Sequence, residues 1–119
     1  MSTVRLRVSD LAAARVAARR ARAVPGVVAL LGDLQQTLLG LATDRLPRRP
    51  VPAELRAHGV VAVVHEREIE VRVTVRARFG TPLADLADRV RREVAEELAA
   101  VTGRPARVLV TVADIELPS

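Results

Sequence analysis

A chain of 119 residues is long enough for one self-supporting core and shorter than two would need. Half of it is apolar, yet Phe79 is the single aromatic residue, and cysteine, lysine, asparagine, tryptophan and tyrosine are absent, so all 19 basic residues are arginine. Against 14 acids they leave a net charge of +5, a composition that excludes wholesale disorder, a disulfide scaffold, thiol or Schiff-base chemistry and a Cys-ligated metal.

Val4, Leu6 and Val8 alternate with Thr3, Arg5 and Arg7, the period-two pattern of a short strand with one buried face. Ser9 or Asp10 can cap the helix that follows to about Ala23, because a short side-chain oxygen accepts from the free amides of a first turn. Along that helix Ala13, Val16, Ala17, Ala21 and Val24 share a face, and Arg15, Arg19 and Arg22 line the opposite one. Pro25-Gly26 ends it.

From 33 to 57 the pattern predicts a variable loop with a short helix capped by Gly32-Asp33 and carrying Leu34, Leu38 and Leu41. Pro47, Pro50 and Pro52 then impose an extended connection around Arg45, Arg48 and Arg49. Core packing is the commoner fate of leucines at helical spacing; the alternative is an exposed patch, which makes Leu34, Leu38 and Leu41 with Arg45, Arg48 and Arg49 the candidate partner surface. Arg15, Arg19 and Arg22 form the candidate anion-facing row. Residues 1–58 hold ten Arg and four acids, and residues 59–119 hold nine Arg and ten acids, so the halves carry +6 and −1. An acidic partner would meet the first half. The plainer reading is that these guanidinium groups only solvate the surface.

After Gly59, Val60 to Val64 is an apolar run of strand length, and a tight turn at Glu66-Arg67 leads to an eleven-residue alternation. Ile69, Val71, Val73, Val75, Ala77 and Phe79 are predicted to face inward, and Glu70, Arg72, Thr74, Arg76 and Arg78 outward. Gly80-Thr81-Pro82 supplies a turn, a cap and a proline at the first helical position. Leu83, Leu86, Ala87, Val90, Val94, Leu98 and Val101 then form a core-facing stripe. Opposite charges four residues apart pair Asp85 with Arg89, Asp88 with Arg92, and Arg92 with Glu96. Gly103 stops the helix, and Val108, Val110 and Val112 form a last strand whose parity slips before Ile115 and Leu117, as a bulge near Ala113 would cause.

The pattern predicts an α+β fold: a two-layer sandwich of β-α-β-β-α-β order, with a mainly antiparallel sheet and helices on one face, ferredoxin-like, as a single domain over 1–119. The sheet's other face would carry Arg5, Arg7, Arg72, Arg76, Arg78 and Arg107, with Glu68 and Glu70 beside them.

Catalytic chemistry finds little material. The two histidines, His58 and His65, stand beside a glycine and in an acidic turn, and the serines, Ser2, Ser9 and Ser119, lie in the first ten residues or at the last. His65, Glu66 and Glu68 are near in sequence, but on a strand the glutamates point away from the histidine's face, so no metal is expected. No phosphate-cradling glycine motif is present, and the paired acids Glu96-Glu97 and Asp85 with Asp88 belong to a helix's outer face. The basic sheet face suggests a nucleic-acid platform, yet such platforms stack bases on aromatic rings and the one ring here has inward parity, which disfavours nucleic acid. No uncharged run exceeds the ten residues of Ala23–Gly32 or Leu34–Thr43, so no transmembrane segment is expected, nor does Met1 to Arg7 read as a secretory signal.

Gly59 to Val64, Glu68 to Val75, Phe79-Gly80-Thr81-Pro82-Leu83, Val90 to Val94, Thr102-Gly103 and Val108 to Val112 resemble the alkaline shock protein (Gls-type) envelope stress response family. Val16-Ala17 and Val24-Pro25-Gly26-Val27 are similar to that family's first helix and its closing turn. The resemblance implies a small, cytoplasmic, non-enzymatic interaction or scaffold protein of Gram-positive bacteria, acting by self-association and through protein partners, one of them a membrane-anchored protein. It brings no catalytic residue, cofactor or metal ligand. The Ala-, Arg- and Val-rich composition fits an actinobacterial, high-GC source. The alternative function is weak binding of an anionic surface, nucleic acid or membrane, through the Arg-rich first half.

Overall fold

The computed structural model describes residues 9–31, 56–57 and 59–118. In chain order they form α1 (Asp10–Arg22), β1 (Val27–Leu30), β2 (Arg56–Ala57), β3 (Val60–Val64), β4 (Ile69–Arg78), α2 (Leu83–Thr102) and β5 (Ala106–Glu116). The strand expected at Val4–Val8, with Arg5 and Arg7, and the short helix expected from Leu34 lie outside the described residues.

Ser9 is the residue that caps α1: its Oγ accepts from the Ala12 amide at 3.0 Å. Asp10, the other capping candidate, reaches out of the helix instead, and its Oδ1 accepts from the Val64 amide at 2.8 Å, tying the start of α1 to the end of β3. The buried face of α1 is wider than the predicted stripe, since Ala14 and Ala18 join Ala13, Ala17 and Ala21. A face of methyl groups lets the helix lie close to the sheet but contributes little area. Most of the burial energy therefore comes from the aliphatic side chains of β4 and α2, each of which stabilises by roughly 1.5–3 kcal/mol when fully buried.

β4 organises the sheet. β5 runs parallel to it over its whole length, from Ile69 opposite Ala106 to Arg78 opposite Glu116. Neighbouring parallel strands need a crossover between them, and α2 supplies it. Along the other edge of β4 two antiparallel strands stand end to end: β3 opposite Ile69 to Val73, and β1 opposite Val75 to Ala77. They meet at Thr74, whose amide donates to the Gly59 carbonyl at 3.0 Å and whose carbonyl accepts from the Leu31 amide at 3.0 Å. Gly59, at φ +89, approaches the backbone of Leu30 and Leu31 closely enough that a Cβ would stand 2.7 Å from the Leu31 nitrogen. Only glycine fits there without strain. β2 adds a short antiparallel edge to β3.

Val60, Ala62, Ile69, Val71, Val73, Val75, Ala77 and Val108 from the sheet, the alanines and Val24 beside α1, and Leu86, Val90, Val94 and Leu98 from α2 make one core. The fold is thus α+β, with two layers, helices on one face and a mainly antiparallel sheet. The order differs from the expected one in detail, because β1 and β2 were not predicted. Both are too short to show alternation.

Other expectations need correction. Phe79 does not face inward: β4 ends at Arg78, the chain turns, and Phe79 is 58% exposed. Thr74, expected on the outside, is buried where β1 and β3 meet. Pro82 is the capping position of α2 and not its first residue, with no side-chain cap bond from Thr81. Leu83 and Val101, at the ends of the α2 stripe, are exposed. Gly103 does stop the helix, in a left-handed conformation with its amide on the Ala99 carbonyl at 2.8 Å. The slip near Ala113 is a bulge: Val75 stands opposite Val112 and Arg76 opposite Asp114, with Ala113 unmatched.

Candidate functional site

α1 presents Arg15, Arg19 and Arg22 to solvent, as their spacing predicts. The fourth arginine of the helix, Arg20, turns toward α2 and donates to Glu93 Oε1 at 2.6 Å, while Arg89 donates to Glu93 Oε2 at 2.6 Å. Glu93 replaces Asp85 as the partner of Arg89 because it can serve two guanidinium groups from two helices. Asp88 does pair with Arg92, at 3.2 Å, and more closely with Arg91, at 2.6 Å. The hydrogen bond from Arg91 and the positive charge of both arginines hold the Asp88 carboxyl below its ordinary value of 3.8. Among the described residues no carboxylate pairs with Arg15, Arg19 or Arg22.

Among the described residues, the outer face of the sheet pairs most of its arginines with acids. Register sets Glu70 beside Arg107, Arg76 beside Asp114 and Arg78 beside Glu116, three opposite-charge pairs across β4 and β5. Such pairs each contribute a few tenths of a kcal/mol to sheet pairing and cancel locally as a field. Arg76 Nε donates to Asp114 Oδ2 at 2.9 Å. The bulge creates this contact: without the extra residue Asp114 would fall on the helix side. Arg72 lies between Val61 of β3 and Leu109 of β5, with no acid opposite. Phe79, the one ring of the chain, is exposed beyond the end of β4 and not on this face.

Among the described residues, four of the seven exposed large apolar side chains lie at one end. The Phe79 amide donates to the Glu116 carbonyl at 3.2 Å, which sets Phe79 beside the end of β5, and Phe79, Leu83, Ile115 and Leu117 are 58%, 37%, 37% and 73% exposed. Parity reasoning missed this cluster because it assigns a side to each residue but does not say how far the helix layer extends over the sheet. The chain length of α2 relative to β5 was the available signal.

His65 Nε2 lies 3.7 Å from Glu70 Oε2, both half exposed, and no third ligand joins them; among the described residues no group of three His, Cys, Asp or Glu is placed to hold a metal. His58 and the candidate partner surface Leu34, Leu38, Leu41, Arg45, Arg48 and Arg49 lie outside the described residues. Among the described residues no helix is long and apolar enough to cross a membrane.

What these elements define is a two-layer α+β domain with a charge-matched outer sheet face, a basic helix face and an apolar end. Residues 2–117 match the alkaline shock protein 23 family, described by its cell envelope-related function, and the chain belongs to that family. Among solved structures it is similar to zinc forms of two variants of the MamM CTD. One has 12% identity over 90% of this chain and 86% of that chain, with a TM-score of 0.48. The other has 12% identity over 91% and 85%, with a TM-score of 0.47. No curated protein matches the chain.

Proposed function

We propose that this protein is a non-enzymatic interaction or scaffold component of the envelope stress response, cytoplasmic, self-associating, and brought to the membrane by a protein partner. The observation that carries the reading is the exposed apolar end formed by Phe79, Leu83, Ile115 and Leu117 on a member of an envelope-related family. Contiguous exposed apolar side chains on a small domain mark contact surfaces. Leu34, Leu38, Leu41, Arg45, Arg48 and Arg49 are proposed as a second partner surface on their sequence pattern. Light scattering over a concentration series tests self-association, and a mass that stays at one chain up to millimolar protein overturns that part. Co-purification from the native cell, compared between the natural chain and Phe79→Ser with Leu117→Ser, tests the partner surface; identical partner sets overturn it.

A second reading, weak binding to an anionic surface, is favoured by the row Arg15, Arg19 and Arg22, which no carboxylate among the described residues pairs. Sedimentation with anionic and with neutral lipid vesicles decides it. Binding to anionic vesicles alone, falling as salt is raised, supports the reading; no binding at low ionic strength removes it.

A further inference from the structure

Resting on the self-association reading and naming its contact, we infer that two copies of this chain join edge to edge through β5, antiparallel, about a two-fold axis at Leu109, so that two sheets become one. Two hydrogen bonds fix which backbone groups of β5 are already used. The Ile69 amide donates to the Pro105 carbonyl at 3.0 Å, and the Phe79 amide to the Glu116 carbonyl at 3.2 Å. In a parallel ladder alternate residues of a strand address the same neighbour. Pro105, Arg107, Leu109 and Thr111 therefore turn their backbone groups toward β4, and Ala106, Val108, Val110 and Val112 turn theirs away. The other edge of β4 obeys the same phase, with Thr74 bonded to Gly59 and Leu31. Among the described residues no strand pairs with the outward side of β5.

The open stretch has defined ends. β5 begins at Ala106 at one end, and the Ala113 bulge breaks the ladder at the other. Between them there is one charge, Arg107, and no proline or lysine of the kind that usually protects an edge from pairing. The midpoint of Ala106–Val112 is Leu109, which is 59% exposed on the outer face.

Antiparallel pairing centred there sets Ala106 opposite Val112 of the second copy, Val108 opposite Val110, Arg107 opposite Thr111, and Leu109 opposite Leu109. Every outward amide and carbonyl of the stretch then finds a partner. Moving the axis to Val108 leaves the groups of Val112 unpaired, and moving it to Val110 leaves those of Ala106 unpaired. The charges agree with this register, because Arg107 meets a threonine and no like charges stand opposite each other. Leu109 would be a non-hydrogen-bonded pair with its copy, at the close spacing of about 4.5 Å between Cα atoms, which covers both exposed leucines. A second copy is the occupant of choice because one two-fold register satisfies every outward backbone group of Ala106–Val112 and covers both exposed leucines at once.

The test uses the absence of native cysteine. Leu109→Cys under mild oxidant is expected to give a disulfide-linked dimer in good yield. Arg107→Cys and Thr111→Cys are each expected to stay monomeric on a denaturing gel, but to cross-link when mixed. Leu109→Arg, which sets like charges on the axis and leaves the monomer's core untouched, is expected to raise the dimer dissociation constant by about 10-fold or more, with an unchanged melt by circular dichroism. If the natural chain associates in light scattering yet Leu109→Cys does not cross-link and Leu109→Arg associates as before, this contact is overturned while self-association stands. If the natural chain is a monomer at every concentration, both fall.

Discussion

Replacing Gly59 by alanine probes the point where β1 and β3 meet along β4. The added Cβ would stand 2.7 Å from the Leu31 nitrogen, 3.0 Å from Leu30 Cβ and 3.1 Å from the Leu30 carbonyl carbon, at a backbone φ of +89. Two costs add. A residue with a Cβ in the left-handed region loses about 1–2 kcal/mol. The overlap involves backbone, not the far end of a side chain, so β1 must shift, at the roughly 1–3 kcal/mol typical of an overpacked core. That shift stretches the Leu31 bond to Thr74 and disturbs the Gly59 bond beside it, both 3.0 Å. The expected loss of about 2–5 kcal/mol is a large share of the ~5–15 kcal/mol that holds an ordinary domain folded. Gly80 is the matched control, since its φ is +88 and nothing lies within 4 Å of its Cβ position. Gly80→Ala should therefore lose only the backbone part, ~1–2 kcal/mol. Urea unfolding of both variants, followed by far-ultraviolet circular dichroism at a common m value, gives the difference. Equal losses would refute the close approach of Gly59 to β1.

Ser9→Ala should cost about 1 kcal/mol, because the Ala12 amide loses its acceptor, and the same urea experiment reads it. Asp10→Asn should be nearly neutral and Asp10→Ala should cost ~1–2 kcal/mol, since an amide oxygen can still accept from Val64 and a methyl group cannot; equal effects would show that only the charge matters. Glu93→Gln should cost about 1 kcal/mol, below the usual value for charged hydrogen bonds, because its partners Arg20 and Arg89 are 41% and 49% exposed, and the loss should shrink in high salt. The Asp88 carboxyl should titrate below 3.8 by nuclear magnetic resonance and move upward in Arg91→Gln. Its folded value is depressed, so its stabilising effect is complete above the unfolded value and is lost as pH falls through the folded one.

The second half of the chain was legible because its elements are long. β4 alternates over ten residues and α2 repeats its stripe over twenty, so a single side of each is fixed by counting, and the bulge at Ala113 was visible as a break in that count. β1 and β2 were not legible, being four and two residues long, too short for a period to show. Their place depends on a backbone contact at Gly59 that no residue pattern encodes. Helix-surface pairs were half legible for a related reason. Spacing predicts which charges can meet, but Glu93 is taken by Arg20 from a different helix, and the resulting competition decides where Arg89 goes.

The meaning of the charge follows from the same distinction. Sequence counting places an excess of six positive charges in residues 1–58 and nearly none after them. The register explains why the second half contributes no field: Arg76, Arg78 and Arg107 each stand opposite an acid on the next strand, and Arg89, Arg91 and Arg92 hold acids on their own helix. Of the arginines on α1, Arg20 alone is diverted in this way among the described residues. The row that remains, Arg15, Arg19 and Arg22, lies on the helix face turned away from the core, whereas the β5 edge and the apolar end around Phe79 belong to the sheet. A chain that associates through its sheet would keep its basic helix face exposed in every copy. Self-association would then multiply that charge and leave it uncovered, so the two readings of this protein reinforce each other: a weak attraction to an anionic surface in one copy would become stronger in an assembly.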